Sequence, residues 1–202
     1  MGGIFGVVSN GNCVEDLFYG TDYHSHLGTM FGGLAIKNGN GFQRHIHDIS
    51  GSQFRSELSD DVRDSSGHEG IGVISDTDPQ PLIPHSHLGE YAIVTVGRIN
   101  NLAEIAEDAF RRGIHMLDRS GGLMNPTEAV GCLIDQGRTF EEGIANAQNV
   151  IKGSCSMLVL TEQGLYASRD KLGRTPLIIG KKDGAIAVAS ETTYFPNLGR
   201  GF

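Results

Sequence analysis

The chain opens with Met1-Gly2-Gly3-Ile4-Phe5-Gly6-Val7-Val8-Ser9, and the rest of the fold is organised around this stretch. Its apolar residues predict a short buried strand. The glycines among them allow a neighbouring backbone or a ligand to come close to the strand. Because the strand begins at residue 2, we expect the amino end of the chain to lie inside the fold.

Two further motifs lie near the other end of the sequence. Arg169-Asp170-Lys171-Leu172-Gly173-Arg174-Thr175-Pro176-Leu177 follows one predicted strand, and Ser190-Glu191-Thr192 ends another. With the opening stretch, these motifs resemble those of the class II glutamine amidotransferases, which are N-terminal-nucleophile glutaminases. The resemblance covers nearly the whole chain and is closest to the glutaminase domain of the amidophosphoribosyltransferases. It implies an α+β fold, a four-layer α-β-β-α sandwich of mostly antiparallel sheets.

Gly2 stands where this family has its catalytic cysteine. In the family the initiator methionine is removed, the cysteine thiol attacks the side-chain amide of glutamine, and the free α-amine acts as its base. Glycine has no side chain that could attack. The resemblance therefore implies the family fold with the nucleophile missing.

The positions that bind glutamine in the family also differ here. Ser75 aligns with the arginine that holds the α-carboxylate, and Pro126 aligns with the aspartate that binds the α-amino group. Leu27 replaces a further site arginine. A charge-assisted hydrogen bond of the kind lost at Ser75 contributes roughly 1.5–3 kcal/mol, so we expect glutamine to bind weakly.

The oxyanion-hole positions are half retained. Val96 replaces an asparagine whose side chain donates a hydrogen bond, whereas Gly97 keeps its backbone N–H. Losing one such donor typically lowers the rate by ~10²–10³-fold. Glycines and turn residues that a fold requires are thus retained, and the residues that carry chemistry are changed. Ser75, Asp76 and Arg98 would supply the polar lining of the altered pocket.

The length allows one large domain or two small ones, and the resemblance implies a single domain over residues 1–202. We expect no phosphoribosyltransferase domain, because no acidic pair followed by a Gly-Thr-rich phosphate loop occurs in the sequence. Helices are expected from Asn12 as the N-cap, over 51–64, over 101–112 with Phe110 facing inward, from Pro126 to Gly137, and over 139–152. Strands are expected at 34–36, 42–49, 70–75, 91–99, 155–160, 165–170 and 187–192.

Composition excludes several classes of function. The 202 residues carry a net charge of −8 and no cluster of lysine and arginine, which argues against nucleic-acid and membrane partners. The three cysteines lie far apart, as is typical of small core residues in a cytoplasmic protein. Three His-x-His pairs, at 24/26, 45/47 and 85/87, lack a third ligand nearby, so we interpret them as solvent-facing strand residues. We expect no metal and no cofactor.

These observations leave more than one function open. The first hypothesis is a degenerate domain without glutaminase activity that acts as a binding, scaffold or regulatory subunit, beside a synthase-type chain or as a homo-oligomer. The alternative is the glutaminase domain of an amidophosphoribosyltransferase-like or glutamate synthase-like enzyme whose cysteine was mutated; a cysteine codon at position 2 would favour it. A third, weaker hypothesis is that the altered pocket binds a different small ligand.

Overall fold

The computed structural model describes residues 2–114, 119–120 and 123–196. Its elements are, in order, β1 (Gly2–Ser9), α1 (Val14–Asp22), a 3₁₀ turn (Ser25–Leu27), β2 (Phe31–Asn38), β3 (Gly41–Asp48), α2 (Phe54–Arg63), β4 (Glu69–Ser75), β5 (His85–Ser86), β6 (Gly89–Glu90), β7 (Ala92–Ile99), α3 (Leu102–Arg111), β8 (Arg119–Ser120), β9 (Leu123–Met124), α4 (Pro126–Ile134), α5 (Phe140–Val150), β10 (Gly153–Thr161), β11 (Gly164–Ser168), β12 (Ile178–Lys182) and β13 (Ala185–Ala189).

The strands form two main sheets. Six strands in the order β12-β13-β1-β4-β2-β3 make the larger sheet, and β11-β10-β7 make the smaller one. All neighbours in both sheets are antiparallel. The opening strand β1 lies in the interior of the larger sheet, between β13 and β4, as its buried apolar sequence predicts.

Three apolar cores separate four layers. One lies between the larger sheet and helices α1 and α2, a second between the smaller sheet and helices α3–α5, and a third between the two sheets. Successive residues of β1 serve different cores: Ile4 faces the other sheet and Phe5 faces the helices. The α-β-β-α arrangement of mostly antiparallel sheets is therefore confirmed.

Three local expectations are wrong. Phe110 is 53% exposed rather than inward, because α3 buries only its opposite side, at Ile105 and Ala109. Cys13, not Asn12, is the N-cap of α1, although the Asn12 side chain accepts a hydrogen bond from the Val14 N–H at 3.3 Å. His24 is fully buried at the end of α1 instead of facing solvent on a strand.

None of the helices in the described residues is long and apolar enough to cross a membrane.

Candidate functional site

A cavity of about 150 Å³ lies where β1 begins, between the two sheets. Residues from the ends of several elements line it: Gly2, Ser75, Thr77, Asp78, Thr95, Val96, Gly97, Arg98, Ile99, Pro126, Ser154 and Cys155. Every site position predicted from the sequence is among them except Leu27 and Asp76. The fold thus brings together residues from β1, β4, β7, β10 and the start of α4.

Gly2 lies against the backbone of the neighbouring strand β4. It pairs with Ser75 in the antiparallel register of β1 and β4. A Cβ atom on Gly2 would overlap the carbonyl oxygen of Ile74 and would lie 3.2 Å from Cγ1 of Val96. The Ile74 oxygen belongs to a strand that is paired on both sides, so it cannot yield as a flexible side chain would. A side chain at position 2 therefore requires the backbone to move.

At Gly97 a second strand, β10, comes too close to leave room for a side chain. Its φ of 140° lies in the region that favours glycine, and a Cβ there would overlap the carbonyl oxygen of Ser154 on the neighbouring strand β10. Gly97 lies opposite Cys155 in the register of β7 and β10. This packing is a structural reason for glycine at position 97 that does not depend on catalysis. The role of the Gly97 N–H as a residual oxyanion donor stays a prediction.

Asp76 serves a structural contact outside the cavity lining. Its Oδ1 accepts a hydrogen bond from the Thr29 backbone N–H at 2.7 Å and lies 3.4 Å from the Thr29 hydroxyl. The contact ties the segment after the 3₁₀ turn to the end of β4. Of the predicted polar lining, Ser75 and Arg98 remain at the cavity, and Arg98 is exposed there.

The cavity contains a buried carboxylate that sequence reasoning missed. Asp78 is 1% exposed and accepts hydrogen bonds from the Thr77 hydroxyl at 2.5 Å, the Gln80 side-chain amide at 3.2 Å and the Thr127 hydroxyl at 2.7 Å. In the described part of the chain it forms no ion pair, and each of these donors is neutral. Burial therefore raises the pKa of Asp78, and the hydrogen bonds counter that rise only in part.

Further hydrogen bonds extend this network to β7. The Thr95 and Thr127 hydroxyl oxygens lie 2.7 Å apart. The Thr95 N–H donates to the Gln80 side-chain oxygen at 2.7 Å, and the Gln80 amide nitrogen donates to the Thr95 carbonyl at 3.1 Å. The Asp78 carboxylate is thus held by the segment after β4 and the first turn of α4, and Thr95 of β7 bonds to two of its partners, Gln80 and Thr127.

The local sequence explains how Thr127 reaches this network. Asn125 is the N-cap of α4, and its side-chain oxygen accepts from the N–H groups of Thr127 at 2.9 Å and Glu128 at 3.3 Å. Pro126 takes the first helical position, where a missing N–H is harmless. Pro126 lines the cavity, as predicted, and places Thr127 beside Asp78.

Cys155 has the thiol that lines the cavity, and this thiol is not a candidate nucleophile. It lines the cavity but is 2% exposed, and burial raises its pKa to about 12. A thiol with that pKa is protonated at neutral pH, whereas the thiolate is the nucleophilic form. Cys13, whose pKa burial also raises to about 12, belongs to the core beneath the helices.

The histidine pairs do not assemble a metal site. No group of three or more His, Cys, Asp and Glu side chains in the described residues is placed to hold a metal ion. His45 and His47 on β3 instead contact Asp61 of α2, with nitrogen–oxygen distances of 3.6 and 2.5 Å. His24 is buried, its Nδ1 lies 2.7 Å from the Gly20 carbonyl oxygen, and burial lowers its pKa.

The Arg169–Leu177 motif forms a tight turn. The Asp170 carboxylate accepts hydrogen bonds at 3.2 Å from the backbone N–H groups of Leu172, Arg174 and Thr175. Gly173, with φ of 63°, supplies the left-handed position. The most specific motif of the C-terminal half therefore has a structural purpose.

The architecture, two facing antiparallel sheets between layers of helices with the first strand opening on the cavity, is that of the N-terminal-nucleophile hydrolase class. A family model described as glutamine amidotransferase domain matches residues 68–197. The chain therefore belongs to the glutamine amidotransferase domain family.

Relatives are similar over almost the whole of this chain. The amidophosphoribosyltransferase of Staphylococcus aureus is 25% identical over 99% of this chain and 42% of its own length. That of Mycobacterium bovis is 26% identical, over 99% of this chain and 40% of its own length. The chain thus spans less than half the length of these curated relatives.

Solved structures share the fold. The glutamine phosphoribosylpyrophosphate amidotransferase from Bacillus subtilis, complexed with ADP and GMP, superposes with a TM-score of 0.86 at 24% identity, covering 98% of this chain and 43% of that one. A glutamine aminotransferase class-II domain protein from Silicibacter pomeroyi has a TM-score of 0.58 at 13% identity, and the match covers 93% of this chain and 87% of that one.

Proposed function

We propose that this chain is a glutamine amidotransferase-like domain without glutaminase activity, which acts as a binding, scaffold or regulatory subunit. One observation carries the proposal: Gly2, at the position of the family nucleophile, has no side chain, and the Ile74 carbonyl oxygen occupies the space that a Cβ would need. The cavity is retained while its reacting group is absent.

The other altered positions argue against the alternative, in which an active enzyme lost its cysteine by one recent substitution. A single substitution at residue 2 would have left the family residues in place at Ser75, Val96 and Pro126. Cys155 supplies no replacement, because its thiol is buried and protonated.

An assay of ammonia release from glutamine tests the proposal directly. We expect no release above background from the purified chain, while the Bacillus subtilis amidotransferase serves as positive control. Turnover within about a hundredfold of ordinary enzyme rates, ~1–10³ s⁻¹, would overturn the proposal.

We further propose that the domain acts through contact with another chain, either a synthase-type subunit or a second copy of itself. The motivation is that a domain without a reacting side chain at Gly2 can act only through what it binds. Light scattering over a range of concentrations tests for self-association, and mixing with a purified synthase-type subunit tests for the other partner. A strict monomer that binds no such subunit would contradict the proposal.

A further inference from the structure

Asp78 determines which hydroxyl groups at the cavity donate hydrogen bonds and which can only accept them. A hydroxyl group has one hydrogen to donate, and the hydroxyls of Thr77 and Thr127 both donate theirs to the oxygens of Asp78. Since the Thr127 hydrogen is used, the 2.7 Å contact between Thr95 and Thr127 has Thr95 as its donor. Thr95 and Thr77, which both line the cavity, therefore offer oxygen lone pairs and no hydrogen.

Ser75 follows the same pattern. Its hydroxyl oxygen accepts from the backbone N–H groups of Thr77 at 3.2 Å and Asp78 at 3.3 Å, so its hydrogen is directed to the Thr77 oxygen at 3.4 Å. The hydroxyl protons of Ser75, Thr77, Thr95 and Thr127 are thus all committed within the protein. A ligand placed against these hydroxyl groups must supply the donors.

The charge balance favours a cationic donor. Asp78 is a buried carboxylate held only by neutral groups, and a buried charge without a counterion is costly. The cationic side chain that lines the cavity is Arg98; it is exposed, and it forms no ion pair with Asp78 in the described residues. An ammonium group would provide both the missing positive charge and several N–H donors.

We propose that the cavity binds a small ligand through a primary ammonium group, which donates to the hydroxyl oxygens of Thr95 and Thr77 beside the Asp78 carboxylate. A cavity of about 150 Å³ sets the size, because an engineered cavity of similar volume holds benzene, so a ligand of about six non-hydrogen atoms fits. The inference rests on the proposed function, since a cavity that hydrolysed glutamine would already have its ligand.

Two sources of the ammonium group are distinguishable: a simple amine, or a zwitterion whose carboxylate lies near Arg98. The test is an NMR titration of the 202-residue chain, at constant ionic strength, with methylammonium and with free glycine. Tetramethylammonium, which has the charge without an N–H, and acetate are the controls. We expect saturable shifts at cavity residues with methylammonium and free glycine but not with the controls. Tighter binding of free glycine would identify the zwitterion, and equal binding the amine.

Variants locate the site. Asp78→Asn keeps the volume but removes the charge, and we expect affinity for methylammonium to fall about ten- to a hundredfold. Thr95→Val, which removes one acceptor oxygen, should weaken binding even if Asp78→Asn fails to fold. Asp60→Asn, which removes a carboxylate that is 81% exposed on α2, is the matched control and should bind normally.

Binding of acetate or tetramethylammonium as tight as that of methylammonium would overturn the inference, as would unchanged affinity in a folded Asp78→Asn or Thr95→Val protein. Absence of any saturable shift would also overturn it. That result would leave the proposed function standing, because the ammonia-release assay tests that proposal separately.

Discussion

The carbonyl oxygen of Ile74 in β4 lies where a Cβ of residue 2 would have to be, so a side chain at this position requires the paired strands β1 and β4 to shift. This relationship makes the consequences of substitutions at residue 2 specific enough to measure.

Gly2→Ala should lower the free energy of unfolding by about 1–3 kcal/mol, because the added methyl group overpacks a site bounded by backbone. Denaturant unfolding measures the change. Gly11→Ala is the matched control: nothing lies within 4 Å of its added Cβ, and we expect a change within about 0.5 kcal/mol. Equal effects of the two substitutions would show that Gly2 has more room than the packing indicates.

Gly2→Cys, in a protein whose mature chain begins at residue 2, should not restore glutaminase activity. The Cβ conflicts with the Ile74 oxygen, and Val96 leaves a developing oxyanion without one donor, a loss of about 2.7–4 kcal/mol in transition-state stabilisation. Ser75 and Pro126 add no charged anchors for glutamine. Ammonia release, with thiol labelling to verify that the cysteine is present, measures the outcome. Robust, saturable activity would refute our alignment of these positions.

The sequence predicted the fold well because the opening strand, the helices and the late turn motif are each defined by local patterns. It also predicted six of the twelve residues that line the cavity, since the family motifs place Gly2, Ser75 and Val96 at strand ends. Asp78 was missed, although it ends a polar run, Asp76-Thr77-Asp78, directly before Pro79-Gln80-Pro81. Which of the two carboxylates enters the cavity depends on tertiary packing. Asp76 accepts a hydrogen bond from the Thr29 N–H, and Asp78 accepts one from the Thr127 hydroxyl.

Asp170→Asn should destabilise the protein by about 1–3 kcal/mol at neutral pH, because an amide cannot accept all the backbone N–H bonds that the carboxylate accepts. Burial acts to raise the pKa of Asp170, but the N–H groups of Thr175, Arg174 and Leu172 outweigh it and lower the pKa.

The ionised form of Asp170 therefore stabilises the fold fully above the unfolded pKa of about 3.9, and this stabilisation is lost as pH falls through the lower folded pKa. Unfolding free energies measured from neutral to acid pH should show the wild-type and Asp170→Asn curves converging at low pH. A constant gap between the curves would contradict this assignment.

Asp78 should give the opposite pH dependence, because burial raises its pKa. Between the unfolded pKa of about 3.9 and the raised folded pKa, the folded state binds more protons, so its contribution to stability decreases as pH rises. In Asp78→Asn this dependence should disappear, whereas Asp60→Asn should keep it. The difference between the variant and wild-type unfolding free energies across that window is the measurement, and a flat difference would contradict the prediction.

The position of β1 between β4 and β13 has a consequence for synthesis. Ile4 exchanges hydrogen bonds with Ser190, its N–H donating to the serine hydroxyl at 3.0 Å and its carbonyl accepting from the Ser190 N–H at 3.0 Å. β1 leaves the ribosome long before β13, so it waits for this partner until residues beyond 185 have emerged. Pairing between such distant segments slows folding, and the apolar face of β1 stays open to chaperones during translation.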